Sequence, residues 1–231
     1  MRGVWLLGCG AAAVVAATLF GCNGLLGIGA ASMESEDGGT DGAPVVPTRA
    51  LSCAYYCATI VTNCTQANAE FVGSEDSQTL CNTMCPAFDT GSAIGPSNDN
   101  TLACRIYYAE QAQSDPTTNC RFAGVGGGGK CGTDPCSTFC ALDTQYCNTA
   151  AISTPDSYPF ASTTDCQTAC TGSPDAGADS GGFPYLTTGQ DLLDDTNTLN
   201  CRLWHLENAY GSTANGKFHC PHTQQVSSMC F

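Results

Sequence analysis

Positive charge is scarce in this sequence. Seven lysines and arginines stand against 21 aspartates and glutamates in 231 residues, a formal net charge of −14. Apart from Arg2, the basic residues are the scattered Arg49, Arg105, Arg121, Lys130, Arg202 and Lys217. No basic patch can neutralise a run of phosphates, so nucleic acid is excluded as a partner class. Large aliphatic side chains are sparse after the first 30 residues, which predicts a thin apolar core. There is no Cys-x2-Cys, so zinc-ribbon and thioredoxin-like chemistry have no footing. Gly-x-Ser-x-Gly and His-Glu-x2-His are also missing, and the expectation is a protein that is not an enzyme.

What is abundant is cysteine. The chain carries 18, a density that belongs to disulfide scaffolds in oxidising compartments. Such cross-links compensate for a small core.

Residues 1–21 read as a signal peptide: Arg2 supplies the positive start, and Val4 to Phe20 is apolar and rich in Ala, Val and Leu. The stretch ends in Leu19-Phe20-Gly21-Cys22, which resembles the bacterial lipobox, although Phe20 is larger than the residue usual there. The resemblance implies cleavage before Cys22 and acylation of its thiol, with membrane association through that anchor. Asn23 in place of Asp after the cysteine favours the outer membrane, by similarity to enterobacterial sorting. Removing Cys9 with the signal and reserving Cys22 for lipid leaves sixteen cysteines, an even number. Residues 22–50 then form a tether: Ser32 to Gly42 is acidic and Gly-rich, Pro44 and Pro47 follow, and such composition cannot bury a core. It would hold the folded part clear of the bilayer.

The remainder reads as a tandem duplication, with copies at 51–132 and 133–231. Cys53, Cys57, Cys64, Cys81, Cys85, Cys104, Cys120 and Cys131 match Cys136, Cys140, Cys147, Cys166, Cys170, Cys201, Cys220 and Cys230. Both copies open with Cys-x3-Cys-x6-Cys and continue with Cys-x3-Cys. Asn100-Thr101-Leu102-Ala103-Cys104-Arg105 parallels Asn197-Thr198-Leu199-Asn200-Cys201-Arg202.

Cysteines at i, i+4 and i+11 fall at about 0°, 40° and 20° around an α-helix, one narrow face, whereas a strand would turn the third away. The fold class is therefore all-α. The second Cys-x3-Cys of each copy also fits a helix, with Ser74 or Ser77 and Ser162 or Thr163 as capping candidates. The pattern resembles the twin Cys-x3-Cys helical hairpin of small oxidised proteins. That likeness, with antiparallel helices, implies Cys53–Cys85, Cys57–Cys81, Cys136–Cys170 and Cys140–Cys166. A third helix is expected near Asn100 and Asn197. Spacing alone leaves the remaining pairs open; the simplest arrangement joins Cys104 to Cys64 and Cys201 to Cys147, with Cys120–Cys131 and Cys220–Cys230 closing loops.

Three motifs bear on chemistry. Gly124 to Lys130 has the spacing of a phosphate-binding loop, but Cys131 replaces the Ser or Thr that should follow, and no strand precedes it. Asp191, Asp194 and Asp195 cluster without the Gly and Glu of a calcium loop. His205, His219 and His222 are the only histidines, and their counterparts in the first copy are Tyr108, Asn119 and Phe122. Close imidazoles can share a metal ion, or ligate a haem, although no haem-attachment motif occurs. They are the candidate metal ligands in a chain otherwise expected to carry no cofactor.

The whole chain resembles the cysteine-rich lipoproteins abundant in myxobacteria, through Leu19-Phe20-Gly21-Cys22-Asn23-Gly24-Leu25-Leu26-Gly27-Ile28, Cys201-Arg202 with His205, and His219-Cys220-Pro221-His222. That resemblance implies a location and no activity. The expected function is a non-enzymatic, disulfide-stabilised binding or structural module of the cell envelope with a protein partner. The alternative is a metal- or haem-binding envelope protein.

Overall fold

The computed structural model describes residues 47–73, 75–154, 157–172, 182–186 and 197–231. The signal segment, Cys22, tether residues 23–46, Ser74 and Asp191–Asp195 lie outside the described residues, whereas residues 47–50, expected as the end of the tether, are described, and Arg49 there pairs with Glu110 of the helical body. The described residues fall within one unit, Pro44–Phe231.

Among them are eight α-helices and no strand, in two runs of four. The first run is α1 (Cys53–Asn63), α2 (Ser77–Met84), α3 (Leu102–Gln111) and α4 (Pro116–Ala123). The second is α5 (Pro135–Cys147), α6 (Thr163–Thr171), α7 (Leu199–Ala209) and α8 (Thr213–His219). All eight start on a capping side chain that accepts a backbone N–H three residues on: Ser52, Asp76, Thr101, Asp115, Asp134, Ser162, Thr198 and Ser212. A cap satisfies one orphan donor and stabilises by about 1 kcal/mol, which matters for helices of two or three turns. The cap of α2 is Asp76, not Ser74 or Ser77, because the Asp76 carboxylate reaches both the N–H and the hydroxyl of Thr79.

Eight disulfides cross-link the helices. Cys53–Cys85 and Cys57–Cys81 join α1 to α2 and the turn after it, first rung to last, as an antiparallel pair requires. Cys136–Cys170 and Cys140–Cys166 do the same for α5 and α6. The other four bonds correct the simplest arrangement. Cys64 pairs with Cys120, Cys104 with Cys131, Cys147 with Cys220 and Cys201 with Cys230.

The reason lies in how the third helix of each run crosses the first. Asn63 donates to the Ala109 carbonyl, so the end of α1 lies beside the end of α3. Cys104 is five residues earlier in α3, about 7 Å further along the axis. Cys64 instead meets α4, whose Cys120 sulfur approaches the Asn63 carbonyl. In the second run Tyr146 stacks on Tyr210, just past the end of α7, with ring centroids 4.1 Å apart. Cys147 is thereby carried away from Cys201 and towards Cys220 in the same way. Numbered along each run, the cysteines are joined 1–5, 2–4, 3–7 and 6–8 in both.

The core threads both runs and is built largely from sulfur and aromatic rings: Tyr56, Phe71, Leu80, Met84, Ile106, Phe139 and Leu206 pack among buried half-cystines. Each run also buries one arginine completely. Arg105 lies 4.0 Å from the Phe88 ring centroid and donates to the Thr101 and Val125 carbonyls. Arg202 lies 3.6 Å from that of Phe183 and donates to Thr198, Gln224 and Gln225 carbonyls. The guanidinium thus ties the segment after the fourth helix to the cap of the third.

Candidate metal centre

Helix α7 sets the centre of the site. Cys201 and His205 are four residues apart and share one helix face. Trp204 lies beside them, its ring edge-on to His205 at 4.8 Å. The end of α8 and the single 3-10 turn Cys220–His222 bring the other two imidazoles across. The Nδ1 atoms of His205 and His219 are 2.9 Å apart. Between ring centroids His205 is 5.2 Å from His219 and 4.8 Å from His222. The three histidines named from the sequence are therefore gathered around His205. Trp204 and the exposed Phe218 complete the cluster, the Phe218 ring lying edge-on to His222 at 5.5 Å.

Burial holds all three imidazoles in the neutral form. It pushes the His205 pKa down to about 3, helped by His222, His219 and Arg202. His219 is lowered by burial and then by His222, and His222 by burial alone. Neutral imidazole keeps a lone pair for a metal. Without an ion, the short His205–His219 contact is one ring N–H donating to the other ring nitrogen.

Sulfur adds a second donor type beside His205: Cys201, one helical turn before it, and the distant Cys230, which spacing does not place there. Cys201, His205 and Cys230 each place a ligand atom within 4.8 Å of the others, all three buried, a group able to hold an ion. However, Cys201 and Cys230 are bonded to each other. Thiolates are metal ligands and a disulfide is a poor one. In the oxidised protein the donors are imidazole nitrogens.

No family model, curated protein or solved structure matches the chain.

The glycine-rich motif does not assemble a phosphate site. The Gly124–Lys130 segment follows helix α4 and forms a turn in which Gly127, Gly128 and Gly129 take positive φ, so there is no strand-to-helix phosphate cradle. A groove of about 220 Å³ is lined by Tyr55, Thr59 and Glu110 among others. Glu110 there is paired with Arg49 at 2.6 Å and accepts from Tyr55, and those partners hold its carboxyl below the usual range. Two acids are buried instead of exposed. Burial pushes Asp143 up to about 7, with Thr223 pulling the other way, and Glu207 up to about 8 against the Phe71 backbone. No described helix is long and apolar enough to cross a membrane.

Proposed function

We propose that this chain is an exported, non-enzymatic lipoprotein of the cell envelope, whose disulfide-stapled helical body serves as a binding or structural module. The observation that carries the reading is the pairing of sixteen cysteines into eight bonds, in one repeated order. Such a scaffold is maintained only where thiols are oxidised. The repeated order also supports descent from a duplicated helical unit. Cys22 in its lipobox-like setting supplies the anchor, and Asn23 points to the outer membrane. Metabolic labelling with an alkyne palmitate tests the anchor: label appears on the wild type and disappears in Cys22→Ala. Label that survives the substitution contradicts it. Cross-linking in intact cells followed by pull-down tests the partner.

The convergence of all three histidines favours a second reading, in which the body carries a transition-metal ion on His205, His219 and His222. The donor set is nitrogen, which suits copper, nickel or zinc and not calcium or magnesium. A haem ligated by both His205 and His219 would need their nitrogens on opposite faces of the macrocycle, and 2.9 Å leaves no room for that, so an ion is favoured over a haem shared by the pair. Copper(II) bound there quenches Trp204, and His205→Ala abolishes the quenching. Unchanged quenching in His205→Ala, His219→Ala and His222→Ala ends this reading.

A further inference from the structure

Five large hydrophobic side chains are exposed among the described residues, and four of them fall in the last fourteen positions: Phe218, Val226, Met229 and Phe231. Phe218 is 63% exposed, Val226 83% and Phe231 74%. Isolated exposed apolar residues are ordinary, but a concentration in one segment marks a contact surface. These residues are also close in the fold. The Phe218 ring meets the His222 ring, His222 Nδ1 is 3.4 Å from the Ser228 hydroxyl, and Cys230 is bonded to Cys201.

Charge distinguishes the same segment. The chain holds 21 acidic residues, yet none occurs from Asn208 to Phe231. The charged side chain within it is the exposed Lys217. Anionic headgroups would repel the rest of this acidic protein and tolerate this face. Exposed aromatic rings flanked by polar side chains are the composition that settles at the level of headgroups.

The length of chain before the body completes the argument, and here the inference rests on the lipid-anchor reading. Flexible linkers of about 25 to 30 residues span roughly 30 Å between their ends. Tethering at that distance raises the effective concentration of the body at the surface to about the millimolar range, so a weak interfacial affinity suffices to orient it. We propose that the Phe218–Phe231 face docks onto the headgroup region of the bilayer and turns the acidic remainder of the body outward. The tether sets how far the body can stand off, and this face sets which side looks inward.

Bromolipid quenching tests it. The exported chain, carrying Trp204→Phe so that one reporter remains, is made with Phe218→Trp, with Phe231→Trp and, as a control in the first run, with Gln113→Trp. Each is combined with vesicles of phosphatidylethanolamine and phosphatidylglycerol bearing brominated acyl chains. Docking predicts blue-shifted emission and strong quenching at positions 218 and 231, and neither at 113. Equal quenching at all positions, no quenching, or a blue shift that arises without lipid through self-association overturns the proposal. Intact mass of the same preparation reports acylation separately. A chain without acyl groups that still shows site-selective quenching at high lipid keeps the face and loses the anchor.

Discussion

Two arginines show how single residues hold this fold. Arg105 and Arg202 are fully buried and lean on ring faces and carbonyl oxygens. Desolvation lowers both pKa values to about 10, which still leaves them charged at neutral pH. Replacement by lysine removes the planar fork that reaches several carbonyls at once. Arg105→Lys is expected to cost about 1–3 kcal/mol, the penalty of leaving buried carbonyls without donors, measured as a lower urea midpoint. Glu207 and Asp143 impose a pH dependence of the opposite kind to an ion pair. Their folded pKa values are raised, so the stability they allow is complete below about pH 4, the unfolded range of such acids, and is lost as pH rises through about 7 and 8. The three histidines, whose pKa values are lowered, act in the opposite direction below about pH 6.5, so the melting temperature should fall as pH rises from about 6.5 to about 8. The double variant Asp143→Asn with Glu207→Gln should flatten that slope, and an unchanged slope would place its origin elsewhere.

At the scale of the helix, the cysteine spacing was legible because i, i+4 and i+11 leave one regular structure that keeps three sulfurs on one face. That argument reaches α1 and α5, the second Cys-x3-Cys with its capping residues reaches α2 and α6, and the Asn-Thr-Leu signature reaches α3 and α7. Spacing does not mark helices α4 and α8, and it places Cys120 and Cys220 in loops. Asp115-Pro116 is a readable cap followed by proline at the first helical position. In α8 the signal is masked by Gly216, a poor helix former, which lies where a Cβ would come 2.5 Å from the Ile152 Cδ1 atom. Close packing there overrides propensity. These two helices carry Cys120 to Cys64 and Cys220 to Cys147, which leaves Cys104 to Cys131 and Cys201 to Cys230. Short helices of this kind depend on their caps, so Thr101→Ala should destabilise by about 1 kcal/mol, read as a lower denaturant midpoint. Removing Cys64 and Cys120 together should cost about 2–4 kcal/mol, since that bond closes a long loop in the unfolded chain.

Across the whole described body, contacts between the runs come from residues that no repeat pattern singles out. Asn208 donates to the Val72 carbonyl, and Gly73 leaves room for the Asn208 side chain, since a Cβ there would lie 1.8 Å from its oxygen. Phe71 adopts a positive φ and is fully buried against Tyr56. The sequence announces the two runs through cysteine, but their junction depends on side-chain fit, which spacing does not encode. The same holds for the candidate metal centre: three histidines could be counted, whereas their gathering around His205 depends on where α8 falls. The central claim is covalent, that two four-helix runs are each joined in the order 1–5, 2–4, 3–7 and 6–8. Peptide mapping of the exported protein by mass spectrometry without reduction tests it most directly. The account predicts Cys64–Cys120, Cys104–Cys131, Cys147–Cys220 and Cys201–Cys230 beside the four hairpin bonds. Free thiols, a bond between the two runs, or Cys64 joined to Cys104 would contradict it.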